Sequence, residues 1–145
     1  RELGLAFTGD HVLKGVSPTP VIRRDPITGE RVKSLLEYER SLARTRALGL
    51  RTMYPGHGAP ITEPDDVIGR ILQRDERRTC KVLDAVREKP STPYEVCRVL
   101  FPELPTEHIY LALSTAIGHL DILEDRGEAS ATDDGRGGCI YQAHP

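Results

Sequence analysis

The sequence contains no tryptophan and only two phenylalanines, so its interior must be built from aliphatic side chains. No stretch approaches the ~18 consecutive apolar residues of a membrane helix, and no basic-then-apolar leader opens the chain. A membrane partner is therefore not expected. Cysteine is scarce: Cys80, Cys97 and Cys139 are an odd set without Cys-x-x-Cys spacing. That argues against a disulfide framework or a thiolate zinc site and reads as reduced thiols in a cytoplasmic protein. Excess charge of either sign is lacking as well; a net charge of −2 and a pI near 6.2 give no bulk attraction to nucleic acid or lipid. There is no initiator methionine, and the chain opens inside a strand-like run, which reads as a piece of a longer protein.

The 145 residues are enough for one ordinary domain or two small ones, and the internal pattern favours two, 1–73 and 74–145. The first carries a charge of +2 and the second −4.

Residues 3–8 form a short apolar run, predicted to be a strand buried on both faces. From Gly15 to Arg31 the chain is rich in proline, glycine and charge, the composition of a long surface loop that could border an active-site mouth or be a solvated connector. Leu35, Tyr38, Leu42, Thr45 and Leu48 recur at helical spacing and predict a helix over about 32–48, stopped by Gly49. A strand over Leu50–Tyr54 follows. Thr62-Glu63-Pro64-Asp65 has capping-box spelling and predicts a helix from about 64 with two apolar faces and a solvent-exposed polar middle, residues 73–78, bridging the domains. Thr92-Pro93-Tyr94-Glu95 repeats the cap and opens a short helix with Val96, Val99 and Leu100 inward. A further helix is predicted over about 106–126, with Ile109, Leu113, Ala116, Ile117, Leu120 and Leu123 inward, before a hairpin with a glycine-rich tip at 133–138. Three helices and a hairpin make a winged helix.

Two strand ends each deliver one metal-type ligand. Phe7-Thr8-Gly9-Asp10-His11 presents a carboxylate after a glycine, and Tyr54-Pro55-Gly56-His57-Gly58 presents an imidazole between two glycines. Taken singly, such residues are more often turn or cap residues than ligands. Together, with Val12-Leu13 completing the first motif, they resemble the second half of the metallo-β-lactamase-fold hydrolases. Within these the similarity is to the branch with a C-terminal winged helix, related to glyoxalase II and to the β-lactamase-like protein 2 ribonucleases. The resemblance runs over nearly the whole chain. It implies an α+β fold: the C-terminal half of an αβ/βα sandwich, then the winged helix. It also implies two divalent metal ions, zinc being the expected element, with Asp10 bridging them, His57 a terminal ligand, and a metal-bound hydroxide as nucleophile. That accounts for the lack of a conspicuous Ser or Cys nucleophile. The family's His-x-His-x-Asp-His cluster is absent, since none of His11, His57, His108, His119 and His144 has that spacing. By itself the chain is therefore expected to be inactive.

His11, next to Asp10, is expected in a supporting role rather than as a ligand. His108 and His119 are expected to be helix-surface or packing residues. Arg23 and Arg24, with Arg31 and Lys33, could meet an anionic substrate, either a small acyl compound such as a thioester or RNA. Residues 106–125 hold no Lys or Arg but carry Glu107, Asp121, Glu124 and Asp125, which argues against duplex DNA as a partner. The alternative to a hydrolase of thioesters, esters or phosphodiesters is a non-enzymatic winged-helix module for protein or nucleic-acid contact. The missing N-terminal half, or self-association through uncovered Leu5, Phe7, Leu50 and Met53, is the expected macromolecular partner.

Overall fold

The computed structural model describes residues 3–16 and 18–145; Ser17, in the predicted loop, lies outside them. The chain forms two compact units. One takes the chain up to Pro18 together with Glu37–Arg74, and the other takes Thr19–Leu36 with Asp75–Pro145.

In the first unit, strand β1 (Leu5–Gly9) pairs in parallel with β4 (Thr52–Pro55), Leu5 opposite Thr52 and Phe7 opposite Tyr54. The crossover between them includes helix α1 (Ser34–Arg46), whose buried Leu42 and half-buried Tyr38 face the sheet's core. Helix α2 (Pro64–Glu88) begins at the predicted proline. Its Val67, Ile68 and Ile71 close the core over Val12, Leu42, Met53 and Ile61. Asp65, assigned by its spelling to the helix cap, makes a forked ion pair with Arg46 at 2.6 and 2.9 Å. β1 departs from the sequence reading: it is covered on one face only. Leu5 and Phe7 are 43% and 90% exposed, whereas Met53 is fully buried and Leu50 half-buried. A two-stranded sheet can present only one face to a helix layer, so alternate residues of β1 point to solvent.

In the second unit, the segment expected to be loop contains a small antiparallel hairpin, β2 (Arg23–Arg24) with β3 (Arg31–Val32). Asp25 Oδ1 accepts from the Ile27 and Thr28 amides and closes its turn. Helix α3 (Pro93–Leu100) has the predicted capping box, with Thr92 N donating to Glu95 Oε2 at 2.8 Å and Glu95 N to Thr92 Oγ1 at 3.3 Å. Its inward face uses Val96 and Cys97, while Val99 is exposed. The next predicted helix divides into a 3-10 turn (Thr106–His108) and α4 (Ile109–Asp125). Strands β5 (Ala129–Asp133) and β6 (Cys139–Ala143) form the predicted hairpin, and Ser91 and Tyr141 exchange backbone hydrogen bonds at 2.9 and 2.8 Å.

The polar stretch of α2 is not uniformly solvated. Asp75 and Thr79 are buried, and Thr79 Oγ1 lies 2.9 Å from Nδ1 of the fully buried His119. A helix that looks polar in sequence can bury single hydroxyls where a partner meets them. Segment 19–36 is fastened along α4. Ile22 N donates to Ser114 Oγ, Tyr110 Oη donates to Ile22 O, and Arg31 and Lys33 pair with Asp121 and Glu124. Gly118 sits against Leu35 so closely that an added Cβ would lie 2.7 Å from the leucine Cβ. Cys97 is buried, Cys80 and Cys139 are exposed, and all three are free thiols. Among the described residues no helix is long and apolar enough to cross a membrane.

Candidate metal centre

The site lies in the first unit, at the C-terminal ends of the parallel strands β1 and β4. Because the two strands run the same way, both deliver their following turns to one edge, where ligands gather in layered α/β folds. Gly9 leaves β1 at φ +51°, a conformation that would strain any other side chain, and Asp10 follows it. Gly56 N donates to Gly9 O at 2.8 Å and ties the second turn to the first. The glycines flanking His57 do different jobs. Gly58 has φ +89°. Gly56 provides close approach, since a Cβ there would lie 3.0 Å from Asp10 Oδ1.

Asp10 and His57, 47 residues apart in sequence, meet at 2.7 Å between Oδ1 and Nδ1, and both side chains are exposed. A carboxylate accepts, so the imidazole donates from Nδ1. In the neutral ring a lone pair on Nε2, together with the second carboxylate oxygen, is then left as a donor to a cation. Oxygen and imidazole nitrogen are the donor chemistry that zinc and similar divalent metals take. The pair fits a metal by type but does not complete its shell: among the described residues no group of three or more His, Cys, Asp or Glu is arranged to hold one.

His11 turns toward α1 instead. Its Nε2 is 3.1 Å from Thr45 Oγ1, its carbonyl accepts from Tyr38 Oη at 2.9 Å, and its ring meets the Tyr38 ring edge-on at 5.5 Å. Partial burial lowers its pKa from the usual imidazole value. Tyr38 and Thr45 read in sequence only as part of an apolar stripe, and their polar atoms carried no signal of this contact. Arg23 and Arg24 belong to the second unit, in the β2–β3 hairpin, and Arg24 donates to Gly29 O at 2.8 Å. Arg31 and Lys33 are engaged within that unit by α4 carboxylates. Asp121 raises the Arg31 pKa by hydrogen bonding. His108 is exposed in the 3-10 turn.

Residues 80–144 match the family model described as the metallo-beta-lactamase-like C-terminal domain. That stretch is similar to the C-terminal domain of metallo-beta-lactamase-like proteins. Over 141 residues, 97% of its length, the chain is 34% identical to the protein named Probable metallo-hydrolase YqjP of Bacillus subtilis, of which it covers 44%. It is 34% identical over 119 residues to the Atrochrysone carboxyl ACP thioesterase of Aspergillus fumigatus, covering 74% of this chain and 34% of that protein. It is 27% identical over 128 residues to the Beta-lactamase-like protein 2 homolog of Drosophila melanogaster, covering 83% of this chain and 44% of that protein. The chain thus spans less than half the length of these curated relatives. Two solved structures are similar in fold: a metallo-beta-lactamase family protein from Thermus thermophilus (TM-score 0.77, 25% identity, 99% of this chain and 43% of that one), and a beta-lactamase domain protein from Burkholderia ambifaria (TM-score 0.81, 25% identity, 95% and 41%). The stretch matched by the family model and the Asp10–His57 pair lie apart in sequence, and the matches to YqjP and the Thermus protein extend over both.

Proposed function

We propose that this chain supplies two metal ligands, Asp10 and His57, to a metal-dependent hydrolase of the metallo-β-lactamase fold acting on a thioester, ester or phosphodiester. The supporting observation is the convergence of a carboxylate and an imidazole from two strand ends to 2.7 Å. A divalent metal, zinc being the expected one, lowers the pKa of a bound water from ~15.7 to about 7 and so supplies a nucleophile at neutral pH. Asp10 and His57 orient their donor atoms toward the cation, and Gly56 keeps the space beside the carboxylate clear. With two ligands alone the chain holds no complete coordination set, so the isolated chain is inactive.

Among substrates, a thioester or ester is favoured over RNA. Two of the four basic side chains proposed to meet an anion, Arg31 and Lys33, are neutralised by Asp121 and Glu124 of their own unit. The name of the Aspergillus relative, a thioesterase, supports the same choice.

We infer further that residues 74–145 form a winged helix. The three helical segments, the β5–β6 hairpin and the Ser91–Tyr141 bridge that adds a third strand position beside it support this assignment. As a nucleic-acid reader it would use α4, but segment 19–36 already runs along that helix. A binding-module function is therefore the weaker alternative.

The test is metal analysis and thioester hydrolysis on the protein extended to the length of its relatives. Expected are stoichiometric divalent metal, loss of activity on chelation, and activity reduced at least ~10-fold in Asp10→Asn and His57→Ala. Activity indifferent to chelation, or wild-type protein without bound metal, would overturn the assignment.

A further inference from the structure

We propose that His11 is a positioning residue which, by fastening the turn after β1 to α1 through Thr45 and Tyr38, fixes where the Asp10 carboxylate meets His57. This rests on the metal-ligand assignment of the preceding section and adds to it a role for three residues that touch neither the metal nor the substrate.

Asp10 needs such support because little else restrains it. Its side chain is 62% exposed, it follows a left-handed glycine, and the turn it occupies carries no regular secondary structure. On its N-terminal side the backbone is held by Gly56 N donating to Gly9 O at 2.8 Å. On its C-terminal side, His11 N donates to Thr8 O at 3.0 Å. His11 also makes three contacts with α1, and the following Val12 is fully buried in the first unit's core. Tyr38 and Thr45 are seven residues apart, two helical turns, and so lie on one face of α1. From that face Tyr38 Oη donates to the His11 carbonyl, its ring meets the imidazole edge-on, and Thr45 Oγ1 meets Nε2.

The direction of the last bond follows from counting protons. The Thr45 hydroxyl has one, which is donated to Ser41 O at 2.9 Å. A carbonyl can only accept, so toward His11 the threonine oxygen is the acceptor and the imidazole donates from Nε2–H. This fixes His11 in one tautomer and one ring orientation. The backbone carbonyl and the ring of a single residue are thereby bound to a rigid helix, and Asp10 is the next residue along. Partners that act through a ligand in this way commonly change metal affinity by about an order of magnitude when removed.

The experiment records imidazole ¹⁵N spectra of the whole chain, with and without Mn²⁺, for wild type, Thr45→Val, Thr45→Ser and Tyr38→Phe. His119, buried in the other unit, reports the folding of that unit, and the backbone amide spectrum of residues packed in the first core, Val12, Leu42 and Ile68, reports the folding of the mutated one. In Thr45→Val and Tyr38→Phe the His57 Nδ1 resonance, which senses the bond to Asp10, is expected to move toward that of an unbonded ring. The Mn²⁺ concentration that half-broadens His57 is expected to rise about 10-fold. Thr45→Ser, which keeps the hydroxyl, should restore both. If the His11 Nε2 resonance shows its bond lost while His57 and its Mn²⁺ response stay as in wild type, His11 is only structural and the inference is overturned. If Mn²⁺ broadens His57 in no form, two ligands alone do not hold the ion, and the metal assignment is decided by the metal analysis of the protein extended to the length of its relatives. The Nδ1 resonance then still decides the positioning role: a shift supports it, and no shift refutes it.

Discussion

Arg31 and Asp121 form a forked ion pair, with both nitrogen–oxygen distances 2.6 Å, that joins segment 19–36 to α4 across 90 residues of sequence. The Asp121 side chain is buried to 1% exposure while that of Arg31 keeps 34% of its surface. Removing the arginine would strand a buried charge, whereas removing the carboxylate leaves an arginine that can turn to water. Arg31→Ala is therefore expected to destabilise the second unit by about 2–4 kcal/mol, and Asp121→Asn by less. Urea denaturation of both single variants and the double variant checks this. Equal losses would mean that the two side chains do not differ in burial as described.

Gly118 tests the packing of the same segment. Alanine there would gain about 1 kcal/mol in helix propensity. Its Cβ would, however, meet Leu35 at 2.7 Å from Cβ and 2.9 Å from Cδ2. Overpacking of that kind costs roughly 1–3 kcal/mol, so the clash should win and Gly118→Ala should lower the denaturation midpoint. Adding Leu35→Ala to the same chain should recover part of the loss. A more stable single variant would show that the helix and the segment are not in contact.

The α3 cap predicts an acid-sensitive step. The Thr92 amide, then the Lys89 and Thr92 side chains, hold the Glu95 pKa down to about 2 from its ordinary 4.5. A depressed folded-state pKa contributes stability that is fully present above about 4.5 and lost as pH falls toward 2. Melting temperature measured across that window should fall in wild type and fall less in Glu95→Gln, which keeps the cap's shape but cannot lose the charge. Parallel curves would sink the capping account.

The uncovered face of β1 predicts association. Leu3, Leu5, Phe7 and Tyr54 are 66%, 43%, 90% and 37% exposed, and the Phe7 and Tyr54 rings lie 5.4 Å apart. An apolar strip beside an unpaired strand edge tends to recruit a second chain. Sedimentation velocity should show self-association of the chain that Phe7→Ser with Leu5→Ser abolishes. A monomeric wild type at high concentration would contradict this.

Local chemistry made much of the chain legible. Pro64 and Thr92-Pro93 mark the helix starts where α2 and α3 begin, and the glycine-rich tip marks the β5–β6 hairpin, because capping and turn formation depend on neighbours in sequence. The candidate ligands were legible for a related reason: Gly9-Asp10 and Gly56-His57-Gly58 carry the flexibility and the donors in single short motifs.

What the residues alone could not decide was which faces are covered. Periodicity identifies an apolar side but not its partner, so β1 read as doubly buried and Val99 as inward, although one face of β1 and the Val99 side chain are exposed. Charge has the same blind spot. Arg31 and Lys33 looked available to a substrate and Asp121 and Glu124 looked repulsive to phosphate, yet the fold pairs these charges with one another. The starts of α2 and α3, the β5–β6 hairpin and the two glycine turns that carry Asp10 and His57 could be read from the residues, because each is set by interactions within a few positions. The 2.7 Å meeting of Asp10 and His57, the turn of His11 toward Thr45 and Tyr38, and the seating of segment 19–36 on α4 needed the folded chain, because those contacts join residues 27 to 92 positions apart.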